Sequence, residues 1–385
     1  MHMADVILIG ASVRALADSA RRAGMSPLCV DLFRDADLLA QHPDAILCPI
    51  NQYPWGFVPI LETLPPLPVI YTGGLENYPD VIEKIVERHQ IWGNLPEVLR
   101  RVRDPFLVCE YISERGGHFP EISRQRPKGH VGDWLKKRFG SSAGRGVRHA
   151  VDSDTVDPDC YFQKWMPGRS YSAALVGVGR FGYPTNHSRH QTHYANLIGV
   201  SEQLVGCDWL NAKPFWYCGN IGPIAVSPAI SEQIEIFAQA AAHFDMLGCF
   251  GMDFIMEDDV AQLLEINPRY TASNELYERY WPDQSSLKLH CDPATESIRQ
   301  YGQSAMRNEC LGKAIWHTPY PCRAMYHPEE LPPDTYADLP QHGQEFDAHE
   351  PFVTIFAKAL DRDAVIAKLR FLAAGIPKRF KLGPR

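Results

Sequence analysis

The sequence predicts a mixed α/β and α+β protein, in which a parallel-sheet domain precedes a region of strands and helices. Through the first hundred residues, short apolar strands alternate with helical stretches, a pattern typical of a parallel sheet covered by helices on both faces. After Phe119-Pro120 the chain becomes basic, glycine-containing and strand-like. A length of 385 residues also exceeds what one core usually supports, so we expect two or three domains.

The N-terminal domain is predicted from apolar strands and the helical stretches between them. The predicted strands are Val6 to Gly10, Leu28 to Asp31, Ala45 to Cys48 and Val69 to Tyr71, and the predicted helices are Arg14 to Ala23, Val81 to Ile91 and Glu97 to Ile112, the last interrupted at Pro105. Gly10-Ala11-Ser12 is only a weak phosphate-loop signal. It lacks the full G-x-G-x-x-G spacing, and a turn between strand and helix needs a small residue for packing alone.

Composition argues against several classes of protein. The net charge of −8 and the pI near 6.0 speak against a broad nucleic-acid-binding surface. No apolar run reaches the roughly 18 to 20 residues that span a bilayer, and the first residues lack a signal-peptide pattern. The ten cysteines form no C-x-x-C pair, which indicates reduced thiols rather than a zinc or disulfide framework. We therefore expect a cytoplasmic protein that binds neither nucleic acid nor membrane.

The most informative residues lie on a predicted pair of strands, Phe250 to Met256 and Ala261 to Asn267. The Asp258-Asp259 pair between them supplies a turn. Within the second strand, Glu265 and Asn267 share a face, because successive side chains of a strand alternate.

The register of this hairpin decides whether Asp253 joins Glu265. A two-residue loop would set Asp253 opposite Leu264, whereas an odd loop or a bulge would set it directly across from Glu265. Only the second arrangement gathers oxygen ligands of the kind that suit Mg²⁺. An ordinary surface hairpin with acidic residues on its wet face explains the same residues without a metal.

A loop of small residues follows a basic strand. Trp134 to Phe139 leads into Gly140 to Val147, where backbone N–H groups could approach a phosphate chain closely and Lys137 could supply a point charge. The loop is not a Walker A motif, because neither Lys-Ser nor Lys-Thr follows its last glycine. A flexible hairpin tip with solvated lysines is an equally good interpretation.

A second apolar strand, Tyr161 to Lys164, enters the bend Trp165 to Gly168. Such a segment suits a hinge between two lobes, whose backbone could read the edge of adenine while Met166 packs on the ring. A plain strand and turn is the structural alternative.

The order of these parts resembles the ATP-grasp superfamily, in its carboxylate-amine ligase and biotin-carboxylase-like branch. The resemblance implies a Rossmann-like, pre-ATP-grasp domain and then a two-lobed ATP-grasp domain with a small β-rich C-terminal region. The implied boundaries are 1–104 for the first domain, 105–166 for the small lobe with its glycine-rich loop, 167–300 for the large lobe with the metal site, and 301–385 for the C-terminal region with a terminal helix. In that last region the sequence itself predicts strands at Lys313 to His317 and Phe352 to Ala357 and the helix from Arg362 to Ala374.

The resemblance also implies roles for individual residues. Lys137 would contact the α- or β-phosphate of ATP, and Arg269 would steady an acyl phosphate and the tetrahedral intermediate, so these two are the implied catalytic residues. The other implied ligands are Ser141, Ser142, Ala143, Gly144 and Gly146 for the triphosphate, Gln163, Lys164 and Met166 for adenine, and Asp253, Glu265 and Asn267 for Mg²⁺ or Mn²⁺.

Two departures from the family pattern concern nucleotide binding. Arg103 stands where members usually carry an earlier lysine, and Ser170 stands where an acidic residue usually meets the ribose. On the substrate side, polar residues are candidates for binding the carboxylate or a transferred phosphate, although a solvated loop is the better explanation of the first two. They are His187, Arg189, His290 and the cluster Arg279 to Trp281.

The function that the resemblance implies is ATP-dependent ligation of a small-molecule carboxylate to an amine, giving ADP and phosphate. Amino-acid ligation of the tyramine-glutamate ligase type is one option within this branch. A carboxylase-type or kinase-type ATP-grasp enzyme and a non-catalytic ATP-binding module are the alternatives. A homodimer is compatible with the resemblance.

Overall fold

The computed structural model describes residues 4–128, 131–179, 194–293, 309–332 and 334–384. The substrate candidates His187 and Arg189 lie outside the described residues. The helices are α1 (Arg14–Arg22), α2 (Ala36–Gln41), α3 (Phe57–Glu62), α4 (Pro79–Val86), α5 (Pro96–Val102), α6 (Pro105–Glu114), α7 (Pro228–Ala238), α8 (Ala240–His243), α9 (Ala272–Tyr280), α10 (Ser286–Cys291) and α11 (Arg362–Arg379).

The strands form four sheets. They are β1 (Val6–Gly10), β2 (Pro27–Asp31), β3 (Ile46–Leu47), β4 (Val69–Tyr71), β5 (Ile122–Ser123), β6 (Trp134–Arg138), β7 (Val147–His149), β8 (Cys160–Lys164), β9 (Arg169–Val178), β10 (Tyr194–Val205), β11 (Tyr217–Gly222), β12 (Gly248–Glu257), β13 (Val260–Asn267), β14 (Cys310–His317), β15 (Cys322–Arg323), β16 (Tyr336–Ala337), β17 (Glu345–Phe346), β18 (Pro351–Ala359) and β19 (Gly383–Pro384).

The N-terminal sheet is parallel, in the order β3-β2-β1-β4. Alternate residues of β1 enter two different cores: Ile7 and Ile9 pack on one face, and Val6 and Leu8 on the other. Because both faces are covered, every side chain from Val6 to Ile9 is fully buried. This is the parallel sheet with helices on both faces that the sequence predicts.

The small lobe holds an antiparallel sheet in the order β5-β8-β6-β7, and the large lobe holds an eight-stranded sheet in the order β13-β12-β9-β10-β11-β14-β18-β16. The last three strands of the larger sheet come from the C-terminal region, and α11 packs its buried face against them. The β-rich C-terminal region therefore extends the sheet of the large lobe, and a separate three-stranded sheet, β17-β15-β19, lies beside it.

Two predicted helices have different ends in the structure. The helix predicted over Val81 to Ile91 ends at Val86, because Ile91 forms a parallel bridge to Val69 at the edge of the N-terminal sheet. The terminal helix, predicted over Arg362 to Ala374, continues to Arg379. All ten cysteines are free thiols, as the sequence predicts. Over the described ranges, we find no helix with the length and apolar character that a membrane crossing requires.

Candidate active site

The floor of the site is the hairpin of β12 and β13. Next to the turn, Glu257 lies opposite Val260, so the strands are joined by a two-residue loop. The two turn residues, Asp258 and Asp259, both have positive φ, at 46° and 60°, as the two central residues of a tight hairpin turn require. Further along, a bulge shifts the register, and Asp253 comes to lie directly opposite Glu265. The bulge thus supplies the arrangement that a metal site in this hairpin needs.

Three oxygen-bearing side chains meet on this floor. Asn267 donates from Nδ2 to Oδ2 of Asp253 at 2.9 Å and to Oε1 of Glu265 at 3.5 Å. On its other side, Asp253 accepts a hydrogen bond from Gln203 at 2.9 Å. The amide group of Asn267 therefore lies between two carboxylates, where it partly screens their repulsion.

The pKa values of Asp253 and Glu265 show how the surrounding charges act on these two carboxylates. Burial, and next the charge of Glu265, raise the pKa of Asp253 to about 7. Burial also acts to raise the pKa of Glu265, but the positive charges of Arg103, Lys137 and Arg269 bring it below its ordinary value.

Adjacent carboxylates that retain a proton between them are suited to a divalent cation, which can replace that proton. Among the described residues, no three His, Cys, Asp or Glu side chains cluster as a metal site. The hairpin instead offers two carboxylates and an amide. Such a set suits Mg²⁺ or Mn²⁺, which take oxygen ligands and, for Mg²⁺, complete their coordination with phosphate oxygens and water.

Lys137 points from β6 into the same cavity and is 9% exposed. Its Nζ donates to Oε1 of Gln163 on the neighbouring strand β8 at 3.0 Å. Burial acts to lower the pKa of this ammonium group, but Tyr161 and Glu265 raise it above its ordinary value. Lys137 is therefore a fixed positive charge near the carboxylates.

The glycine-rich loop is held on both sides. Toward the N-terminal domain, the hydroxyl of Ser142 donates to Glu76 at 3.3 Å and accepts from Nδ2 of Asn77 at 2.7 Å. Toward the large lobe, the carbonyl of Ala143 accepts from the backbone N–H of Tyr217 at 3.1 Å. The loop thus lies closed over the cavity.

Glycine is required at two points of this loop. Gly144 has a φ of +72°, and a Cβ there would lie 1.8 Å from the carbonyl oxygen of Phe215. At Gly146, a Cβ would lie 2.6 Å from the side chain of Ser141. Small residues here allow the loop to fold on itself and to approach the large lobe closely.

The predicted hinge residues Gln163, Lys164 and Met166 all line the cavity. Gln163 is 1% exposed, and its Nε2 has no hydrogen-bond partner among the described residues. The backbone N–H groups of Lys164 and Trp165 already donate to carbonyls of their own lobe, each at 2.8 Å. These two N–H groups are thus not free to donate a hydrogen bond to adenine. The contacts with adenine expected from the hinge are left to its other atoms.

Arg269 is anchored by a residue that sequence reasoning missed. Its Nε donates to Oε1 of Glu76 at 3.1 Å, and Glu76 is fully buried. Burial acts to lower the pKa of the guanidinium, but Glu76 raises it above its ordinary value. Glu76 directly follows Gly74-Leu75 after β4, outside the motifs recognised in the sequence.

Arg103 was noted in the sequence only as a substitute for a family lysine, and the structure brings it into the site. It donates to the carbonyl of Ile266 at 2.9 Å and to the carbonyl of Ser141 at 3.0 Å, and it lies 3.5 Å from Glu265. It therefore links the glycine-rich loop to β13.

Other predicted substrate residues lie outside this site. His290 accepts from the N–H of Cys249 and contacts the carbonyl of Trp92, so it packs two domains together. The Arg279 guanidinium lies 3.6 Å from the ring centroid of Phe356. Neither residue borders the cavity, whereas Ser170 does.

One cavity of about 1070 Å³ is lined by Lys137, Arg269, the three polar side chains of the hairpin floor and the loop residues Ser142 to Gly144. The predicted hinge and residues that follow the N-terminal strands line it too, whereas Ser141 and Gly146 do not. Ligands of open parallel sheets bind at such strand ends. The volume is at the upper end of small-molecule pockets.

A family model described as an ATP-grasp domain matches residues 102–273. The chain contains an ATP-grasp domain. The superfamily suggested by the sequence motifs is thereby confirmed, and the matched ATP-grasp segment includes Lys137, the glycine-rich loop, the hinge and the metal-site hairpin.

Comparison with known proteins extends the likeness beyond the matched segment. An uncharacterized protein of Methanocaldococcus jannaschii is 20% identical over 223 residues, which is 54% of this chain and 51% of that protein. The chain thus spans about half the length of this curated relative.

Two solved structures share the fold over nearly the whole chain. A biotin carboxylase from Campylobacter jejuni, in complex with an ATP compound, has a TM-score of 0.67 at 15% identity and covers 99% of this chain and 92% of its own. N5-carboxyaminoimidazole ribonucleotide synthetase from Thermotoga maritima has a TM-score of 0.63 at 15% identity and covers 100% of both chains. These likenesses establish a shared fold.

Proposed function

We propose that this ATP-grasp protein is an ATP-dependent ligase, which converts a carboxylate to an acyl phosphate and couples it to an amine with release of ADP and phosphate. The observation that carries the proposal is the bulged hairpin, which sets Asp253 opposite Glu265 in a cavity also lined by Lys137 and Arg269. The cavity also continues beyond the floor toward the N-terminal domain, so a second substrate has room beside a nucleotide.

The proposed reaction has two steps. A carboxylate oxygen attacks the γ-phosphorus of ATP, the bond from that phosphorus to ADP breaks, and an acyl phosphate forms. The amine nitrogen then attacks the acyl carbon, the bond to phosphate breaks, and the amine proton leaves with the phosphate. Phosphoryl transfer depends mainly on positioning and on neutralising charge, so no nucleophilic side chain is needed.

The residues of the site divide these tasks. Lys137 and the loop residues Ser141 to Gly146 bind the phosphates, and Gln163, Lys164 and Met166 border the base. Arg269 neutralises charge on the acyl phosphate and on the tetrahedral intermediate. Asp253, Glu265 and Asn267 would hold Mg²⁺ or Mn²⁺, which supplies charge neutralisation at the phosphate oxygens.

The closed loop over the cavity supports ligation, because an acyl phosphate hydrolyses unless water is kept away. The fold shared with biotin carboxylase keeps a carboxylase-type reaction as the second candidate. A tyramine-glutamate ligase type of activity and a homodimeric state are narrower proposals within the first. The substrates would be a small-molecule carboxylate and a small-molecule amine.

The experiment is ADP formation from ATP and Mg²⁺ in the presence of acids and amines offered in pairs. We expect turnover that requires both substrates and the metal. Glu265→Gln should abolish it, while Glu257→Gln, an exposed carboxylate on the same hairpin, should leave it unchanged. Release of AMP and pyrophosphate would contradict the acyl-phosphate route. Dependence on bicarbonate in place of an amine would favour the carboxylase-type reaction.

A further inference from the structure

The part of the cavity lined by the N-terminal domain contains a buried carboxylate that nothing in the proposed reaction uses. Asp35 occupies the N-cap position of α2, yet its side chain makes no cap hydrogen bond. The residue is 7% exposed, it lines the cavity, and its Oδ2 has no hydrogen-bond partner in the part of the chain that the structure describes. A buried carboxylate without a partner is unfavourable, so its presence beside a cavity indicates a ligand that supplies the missing charge.

Arg14 and Lys313, which line the cavity near Asp35's acidic neighbours, are already engaged by other carboxylates. Arg14 donates to Asp338 at 2.8 Å and to Glu275 at 2.5 Å, and Lys313 donates to Glu275 at 2.6 Å. Asp37 accepts from the backbone N–H of Asp338 at 3.0 Å. This end of the cavity therefore contains more carboxylates than cations.

The electrostatics of Asp35 agree with a missing counter-ion. Burial, followed by the charges of Asp338, Asp31 and Asp37, raises the pKa of Asp35 well above its ordinary value, and Arg14 opposes this only in part. Asp31 is satisfied by contrast, because it accepts from the backbone N–H groups of Val13, Phe33 and Arg34. Asp35 thus differs from the carboxylates around it.

We propose that Asp35 binds the positively charged ammonium group of the amine substrate. The inference rests on the proposed ligase function and specifies its second substrate as an organic cation. Aromatic side chains line the cavity together with Asp35, and they suit the apolar body of such a molecule better than a hydrated metal ion. They are Phe33, Tyr53, Phe346 and Phe352.

The position of this subsite agrees with attack on an acyl phosphate. Asp35 and Arg269 line the same cavity, and Gly73, at the end of β4, lies next to the guanidinium: a Cβ at Gly73 would be 3.4 Å from its Cζ. An amine whose charged group lies on Asp35 is therefore held in the cavity that also contains the proposed acyl-phosphate site. Before attack, the ammonium group passes one proton to the Asp35 carboxylate, which frees the lone pair of the nitrogen; the second proton leaves with the phosphate.

The test measures binding to the full chain without ATP. The probes are methylamine, butylamine, benzylamine, tyramine and putrescine, each compared with its alcohol or N-acetyl counterpart by calorimetry and thermal shift. We expect at least one amine with an apolar body to bind, its neutral counterpart to fail, and Asp35→Asn to weaken binding about tenfold or more. The exposed Asp44→Asn is the matched control and should bind as the unchanged protein does.

Three results would overturn the proposal: no amine binds the unchanged protein, the neutral counterpart binds equally well, or Asp35→Asn binds equally well. Folding does not confuse the outcome, since Asp35→Asn removes an unpaired buried charge and should keep the thermal midpoint and the shift caused by MgADP. Because no turnover is measured, failure here differs from failure of ADP formation, which would remove the ligase function itself.

Discussion

Glu76 holds together three parts of the site, and replacing it by glutamine isolates what its charge contributes. One carboxylate oxygen accepts from Arg269 at 3.1 Å and from Ser142 at 3.3 Å, and the other accepts from the N–H of Gly74 at 2.6 Å. Both oxygens therefore face donors. A glutamine at this position must turn its NH2 group toward one of those donors, whichever way its amide is oriented.

The burial of the Glu76–Arg269 pair determines how much stability Glu76→Gln should lose. Glu76 is fully buried, and the side chain of Arg269 is 13% exposed. Removing one partner of a buried ion pair destabilises a protein by ~3–5 kcal/mol. Glutamine keeps part of the hydrogen bonding, whose net contribution is ~0.5–1.5 kcal/mol per bond. We therefore expect Glu76→Gln to lower the free energy of unfolding by ~2–4 kcal/mol.

Urea unfolding followed by tryptophan fluorescence measures this loss as a shift in midpoint. The matched control is Glu87→Gln, because the side chain of Glu87 is 64% exposed and pairs with Lys84 at the surface; it should leave the midpoint unchanged. If Glu76→Gln unfolded at the same urea concentration as the unchanged protein, the buried pair would not be an anchor, and the account of how Arg269 is held would be wrong.

Three further predictions concern the loop, the arginine and the domain contact. Gly144→Ala should raise the KM for ATP and lower stability more than Gly24→Ala. Both glycines have positive φ, but only at Gly144 would an added Cβ clash with backbone, 1.8 Å from the carbonyl oxygen of Phe215. Equal losses in the two variants would show that this clash does not matter. Arg269→Ala should depress the ligation rate far more than ADP affinity, and parallel losses in kcat and affinity would contradict its role in the second step. Burial lowers the pKa of His290 from 6.5 to about 4, so the free energy of unfolding is at its full value above pH 6.5, where the ring is neutral in both states, and falls by ~3 kcal/mol toward pH 4. His290→Gln should lose this pH dependence in urea titrations. If its free energy of unfolding changed with pH as in the unchanged protein, the prediction would be wrong.

The local parts of the site could be predicted from sequence because they depend on short-range rules. Strand alternation puts Glu265 and Asn267 on one face, and turn residues mark Asp258-Asp259. The pairing of Asp253 with Glu265 could only be stated as a condition, since a bulge depends on how the strands pack within the whole sheet. The structure meets that condition.

The residues that anchor the site escaped prediction because their partners are distant in sequence. Glu76 and Arg269 are separated by 193 positions, and no periodic pattern connects a turn after β4 with the end of β13. For the same reason, the sequence predicted strands near Lys313 and Phe352 but could not tell that they extend the large-lobe sheet. The role of a side chain could be predicted where it depends on a short sequence motif. It could not be predicted where a residue of one domain holds a residue of another.

The ion pairs of Arg14 connect the beginning of the chain to its far end. Its partners Glu275 and Asp338 lie 261 and 324 positions away, and Arg14 itself is 2% exposed. During synthesis, α1 is complete long before either of these two carboxylates exists, so Arg14 lacks both ion pairs until the residues around Asp338 have been made. The N-terminal domain is thus translated well before the residues that complete its electrostatic environment.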